Sequence, residues 1–174
     1  SQKIIYLIYC VAILFLLVVV YQKILSEYFQ NKKAVLFLAT LILYPISWNY
    51  LILNQTYQYY DFTAILIFTI GLYFIIKENF IALLITFIIG ILNKETVAYL
   101  LFAYILFNYD KIFTKKVVLN SFLLAAVIVL IKTFLAYIFK NNPGDNIELC
   151  VYENVRIITT IFSNKIYFKH LALN

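Results

Sequence analysis

Six apolar runs separated by short polar links dominate this chain. They cover Ile4–Tyr21, Ala34–Leu53, Phe62–Ile76, Phe80–Asn93, Thr96–Phe107 and Val117–Phe139. A membrane span needs about 20 apolar residues, or about 17 at the short end. None of the runs alternates strictly between apolar and polar positions, as a barrel strand would, and open sheet cannot satisfy its backbone in lipid. The pattern therefore predicts an all-α, polytopic helix bundle over residues 1–139. The second run carries "YPISWNY", where Pro45 lacks a backbone donor and is expected to kink or end the helix, leaving Trp48 and Tyr50 at a headgroup interface. A mixed segment, residues 140–174, follows the last run. It opens with a turn at Pro143-Gly144 and continues with Val155, Ile158, Ile161 and Phe162 set against Arg156, Lys165 and Lys169. This tail is expected to form an interfacial helix or to lead into a further span. No internal repeat is visible, so an inverted-repeat transporter gains no support.

Composition strengthens the membrane reading. Hydrophobic residues make up 65% of the chain, charged residues only 13%, and the mean hydropathy is +0.93. A soluble core of this length would need far more polar surface. The chain begins at Ser1, contains no methionine and shows no signal-peptide cleavage site, as expected of an internal piece of a longer protein.

The net charge of +6 reads as a topology signal rather than a nucleic-acid patch, because its lysines flank apolar runs. Lys23, Lys32, Lys33, Lys77, Lys111, Lys115 and Lys116 fall in alternate links. The intervening links hold no lysine between Asn54 and Asp61, and only Lys94 in the next. The positive-inside rule then predicts an exoplasmic amino terminus and an exoplasmic tail.

Against that frame, "GILNKETVAYLL" (Gly90 to Leu101) poses the functional question. Asp61 to Lys77 is sixteen residues and Lys77 to Lys94 seventeen. At a rise of about 1.5 Å per residue, each leg spans roughly 25 Å. The hairpin therefore returns Lys94 and Glu95 to the level of Asp61, and one polar cavity is expected to hold all three. Three ionisable groups at one outer level are costly unless they pair, hydrate or bind something. Lys132 lies fifteen residues beyond Val117, roughly 22 Å along its helix, and could snorkel to the same layer.

Each candidate has a plainer reading. Lys94-Glu95 could be a polar turn, Asp61 a partner of the helix dipole, and Lys132 a snorkelling residue. Arg156 and His170 could be surface residues. Tyr57, Tyr59 and Tyr60 read first as an aromatic belt, and Asn54-Gln55-Thr56 as a sequon relevant only in a eukaryotic secretory pathway. Cys10 and Cys150 suggest neither a metal site nor a redox pair, and one histidine excludes a multi-histidine centre. No cofactor motif is present, and a divalent metal would find no ligand cluster in the chain.

The stretch "YYDFTAILIFTIGLYFIIKENFIALLITFIIGILNKETVAYLLFAYIL" resembles the GT-C class of membrane glycosyltransferases, particularly bacterial members related to lipid-linked-sugar enzymes. There an acidic or polar residue opens a helix outside, a short basic turn follows inside, and the return helix ends in a "KET"-like motif. Asp61, Lys77-Glu78-Asn79 and Lys94-Glu95-Thr96 take those places. The resemblance covers about fifty residues. It implies transfer of a sugar from a polyprenyl-phosphate donor to an exoplasmic acceptor, by a multi-pass protein of the bacterial plasma membrane. In that class the catalytic carboxylate usually lies in a long first exoplasmic loop. Here the first exoplasmic link, "NQTYQYYD", is short, so the catalytic group is expected upstream of Ser1, with Asp61 as the candidate within the chain. Lys94, Lys132 and Arg156 are the cations expected to hold the leaving lipid phosphate; Glu95 or Asp61 could orient a lysine or contact sugar hydroxyls, with Glu95 the one expected to fix the Lys94 side chain. Other function classes remain open: a polysaccharide polymerase or flippase, and a non-enzymatic integral membrane subunit.

Overall fold

A computed structural model describes residues 2–47 and 59–140. The described residues are helical throughout, with no strand among them. The helices are α1 (Gln2–Ser26), α2 (Lys32–Leu41), α3 (Leu43–Ser47), α4 (Tyr59–Ile76), α5 (Phe80–Asn93), α6 (Leu100–Phe107) and α7 (Lys115–Ile138). Two 3₁₀ turns, Glu95–Tyr99 and Tyr109–Lys111, precede α6 and α7. The chain divides into two units, Ser1–Thr133 and Phe134–Asn174. The second is described only over residues 134–140, so the predicted tail lies almost wholly outside the described residues, as do Trp48, Tyr50, Arg156 and His170.

Two of the helices, Leu7–Ser26 and Lys115–Ile138, are long and apolar enough to cross a membrane. Among the described residues α5 and α6, at 14 and 8 residues, are shorter than a span requires and α4, at 18 residues, is just long enough, so an all-helical unit is shown and six membrane crossings are not. The second predicted run, Ala34–Leu53, is divided. α2 ends at Leu41, whose carbonyl would meet the backbone N–H that Pro45 lacks, and the short α3 restarts around that proline. The fifth predicted run is also divided. Lys94 takes an extended conformation (φ −157°, ψ 135°), and the tight 3₁₀ turn from Glu95 places Val97 in the core before α6 begins. α1 runs past its predicted end at Tyr21. Gln22 and Lys23 continue the helix, and Ser26 Oγ donates back to the Gln22 carbonyl at 2.8 Å.

α4 is apolar all the way round because both of its sides are covered. Phe62 and Leu66 pack with Ile13 and Leu17 of α1 and Ile46 of α3. Ala64, Ile67 and Ile75 join a second cluster with Leu83, Phe87 and Ile91 of α5, Leu100 of α6 and Leu124 of α7. Neighbouring side chains seat directly on two glycines. A Cβ on Gly71 would collide with Leu100, and one on Gly90 with Val97 and Ile67. The α4–α5 hairpin reverses at Glu78, whose φ of 53° puts a non-glycine residue in the left-handed region. The Asn79 N–H reaches back to the Phe74 carbonyl at 3.0 Å, as in a glycine-type helix stop. Asn79 then caps α5 by accepting from the Ala82 N–H at 3.1 Å.

Outside these clusters the surface is apolar. α7 alone exposes Val118, Leu119, Phe122, Val129, Leu130 and Phe134. A patch of that extent marks contact with lipid or with other protein.

Candidate functional site

The equal legs of the α4–α5 hairpin bring Asp61 and Lys94 together. Asp61 sits in the first turn of α4, where a carboxylate also suits the positive end of the helix dipole. Its side chain is only 7% exposed. Lys94 caps the far end of α5, its backbone N–H bonded to the Gly90 carbonyl at 2.8 Å, and its ammonium forms an ion pair with Asp61. An ionised carboxylate buried this far requires such a partner. Gly90 is what permits the geometry: Val97 tucks against it, which turns the chain at Lys94 and holds both the lysine and Glu95 at the mouth of the hairpin.

Glu95 points away from Lys94 and forms an ion pair with Lys132 of α7. The expectation that Glu95 fixes the Lys94 side chain is therefore corrected: Asp61 does so. The reason is backbone geometry. Adjacent side chains on an extended residue followed by a 3₁₀ turn diverge, one toward α4 and the other toward α7. The two pairs form a row across α4, the Glu95–Tyr99 turn and α7. Lys132 does reach this layer, as expected, but in the company of a carboxylate.

A cavity of about 330 Å³ opens beside the first pair, lined by Asp61, Thr69, Lys94, Thr96, Val97 and Tyr99 among others. Glu95 is not part of its wall, so the expected three-residue cavity is a two-residue one. Thr69 lies two turns beyond Asp61, and its hydroxyl already donates to the Ile65 carbonyl at 2.8 Å, which leaves its lone pairs for a ligand. The Tyr99 ring is exposed and packs beside Phe102, with ring centres 6.2 Å apart. The cavity thus presents one ammonium, one carboxylate, hydroxyl oxygens and an aromatic edge. That set suits a polar, hydroxyl-rich ligand or a phosphate able to compete with Asp61 for Lys94. Among the described residues no group of three or more His, Cys, Asp or Glu could hold a metal ion.

Thr96 belongs to the motif the sequence singled out, whereas Thr69 and Tyr99 were not singled out. Tyr99 had a detectable signal, since it is four residues past Glu95 and next to the motif. Thr69 had none, being one polar residue in a helix otherwise explained by packing. At the opposite end, Asn120 Nδ2 donates to Tyr104 Oη at 2.9 Å, and both residues are buried. An asparagine within "VVLNSFLLAAVIVL" was visible as a polar residue in a span, a feature that usually has a partner. Comparison with protein-family models, with curated proteins and with solved structures gives no match to this chain.

Proposed function

We propose that this chain is a multi-pass segment of a bacterial plasma-membrane glycosyltransferase of the GT-C class, transferring a sugar from a polyprenyl-phosphate donor to an exoplasmic acceptor. The observation that carries the reading is the buried Asp61–Lys94 pair beside a cavity, at the end of the helices opposite the lysine-rich turns. The resemblance of residues 59–106 supports it, and so do the two long helices, whose faces are mostly uncovered where the core helix of a soluble protein would be buried. In this reading Lys94 holds the lipid phosphate. As the phosphate takes the ammonium, the Asp61 carboxylate is freed to accept a hydrogen bond from a sugar hydroxyl. Lys132, held by Glu95, is a second cation for the same phosphate.

One observation favours a second reading. Each of the two lysines is matched by a carboxylate, so the layer is neutral, as in a non-enzymatic membrane subunit whose pairs only reconcile charge with lipid. Transfer measured in membranes carrying the complete protein separates the two. Lys94→Gln is expected to cut transfer about a hundredfold, the scale of losing one charge-stabilising donor. Glu95→Gln should do less and Lys111→Gln almost nothing. Wild-type transfer by Lys94→Gln at limiting donor would leave the subunit reading.

A further inference from the structure

A second cavity, of about 80 Å³, lies at the lysine-rich end, where the α4–α5 turn meets the start of α7. Its floor is apolar (Leu83, Phe80 and Val117), and its polar wall includes Tyr104, Asn108, Lys111, Thr114, Lys116 and Asn120. Tyr104 is the informative residue. Its hydroxyl oxygen accepts from Asn120 Nδ2, which leaves its own hydrogen to be donated elsewhere, and the ring lines the cavity. The lysines add donors of the same kind. Lys116 makes no ion pair among the described residues, and Lys111 is held only loosely, 4.0 Å from Glu78, with both side chains about two-thirds exposed. Glu78 also lines the cavity and would repel an anion, but its exposure lets its carboxylate swing into solvent.

We propose that this cavity binds the phosphate of an anionic glycerophospholipid, intercalated beside the start of α7. A phosphodiester offers only acceptors, which complements the Tyr104 hydroxyl hydrogen, the ammonium groups of Lys111 and Lys116, and the second amide hydrogen of Asn108, whose first goes to the Tyr104 carbonyl at 2.9 Å. At roughly 30 Å³ per water, the cavity has room for a few waters or one tetrahedral phosphoryl group. The fatty chains have apolar surface to follow, because Phe113, Val118 and Phe122, close in sequence to the cavity residues Thr114, Val117 and Asn120, are exposed. Basic pockets between spanning helices on the positively charged side are suited to anionic headgroups. The inference rests on the reading of the chain as membrane-spanning, and not on its being a glycosyltransferase.

The test uses the full chain in vesicles of phosphatidylcholine, with or without phosphatidylglycerol. Lipid retained after gentle extraction is counted by native mass spectrometry. Phosphatidylglycerol should be retained in preference to phosphatidylcholine and should raise the thermal midpoint. Lys116→Gln should weaken retention about tenfold, while Lys32→Gln, on the same end but away from the cavity, should leave it unchanged. Tyr104→Phe should weaken it while keeping the helix content seen by circular dichroism. Equal retention of both lipids, or unchanged retention in Lys116→Gln, overturns the proposal. So does equal protection by inorganic phosphate in phosphatidylcholine alone, which would make the ligand a free anion. A chain that enters neither vesicle sinks the membrane reading as well, whereas one that enters both without preference sinks this proposal alone.

Discussion

The two ends of the helical unit solve the problem of charge beside apolar surface in opposite ways. At the lysine-rich end, Lys77 meets Glu27 at 2.7 Å and Lys111 stands 4.0 Å from Glu78, all four side chains at least about one-third exposed. Pairs of that kind are worth about 0–1 kcal/mol and are screened by salt. At the other end, the Asp61 carboxylate is shut away and depends on Lys94. Glu95–Lys132 resembles the first kind in exposure and the second in position. Charges of the same types thus have different consequences: solvated pairs decorate turns, while one buried pair fixes where α4, α5 and the motif turn meet. Only the second kind lies beside the larger cavity, which is why the candidate function is placed there.

The largest effect should come from truncating one member of the buried pair. Lys94→Ala leaves Asp61 buried without this partner and is expected to cost about 3–5 kcal/mol, measured by unfolding in mixed micelles. Glu27→Ala should cost less than about 1 kcal/mol. A similar loss for both would erase the contrast between the ends. Next in size is Gly90→Ala, which adds a methyl group where Val97 and Ile67 leave no room. Overpacking of this sort costs about 1–3 kcal/mol, and because Gly90 seats the Lys94 turn, it should also change the reactivity of a cysteine placed at position 96. The smallest effect is at the lysine-rich end. The hydrogen bond to Glu27, with the carboxylate's charge, raises the Lys77 pKa above its ordinary value. A lysine pKa raised by folding gives a contribution present below the unfolded pKa, about 10.4, and lost as pH rises through the folded value. Thermal midpoints of wild type and Glu27→Gln should therefore differ slightly at pH 9 and converge as pH climbs past 11.

Much of this layout was legible in the sequence because it follows from length and charge alone. Two helical legs of nearly equal length must return Lys94 to the level of Asp61, and lysines in alternate links must gather at one end. The predicted breaks were less reliable where backbone chemistry acts over four residues, as in the division at Ile42 caused by the donor missing at Pro45. Pairing was the least legible. "NKET" shows which charges share a level, but whether Glu95 turns to Lys94 or to Lys132 depends on the extended conformation at Lys94 and the close seat at Gly90. Both are tertiary facts: a single glycine in an apolar run gives no hint of what passes over it. The Tyr104–Asn120 bond was hidden for the same reason, since its partners are sixteen residues apart on different helices.

The most direct measurement is a pair of double-mutant cycles, one on Asp61 and Lys94 and one on Glu27 and Lys77, read from unfolding free energies at two salt concentrations. The account predicts that Asp61→Asn with Lys94→Met recovers much of the stability that each change loses alone, with a coupling of at least about 2 kcal/mol that salt barely alters. For Glu27 and Lys77 it predicts a much smaller coupling that fades as salt rises. Equal, salt-sensitive couplings at both ends would contradict it, because Asp61 and Lys94 would then be one more solvated turn pair.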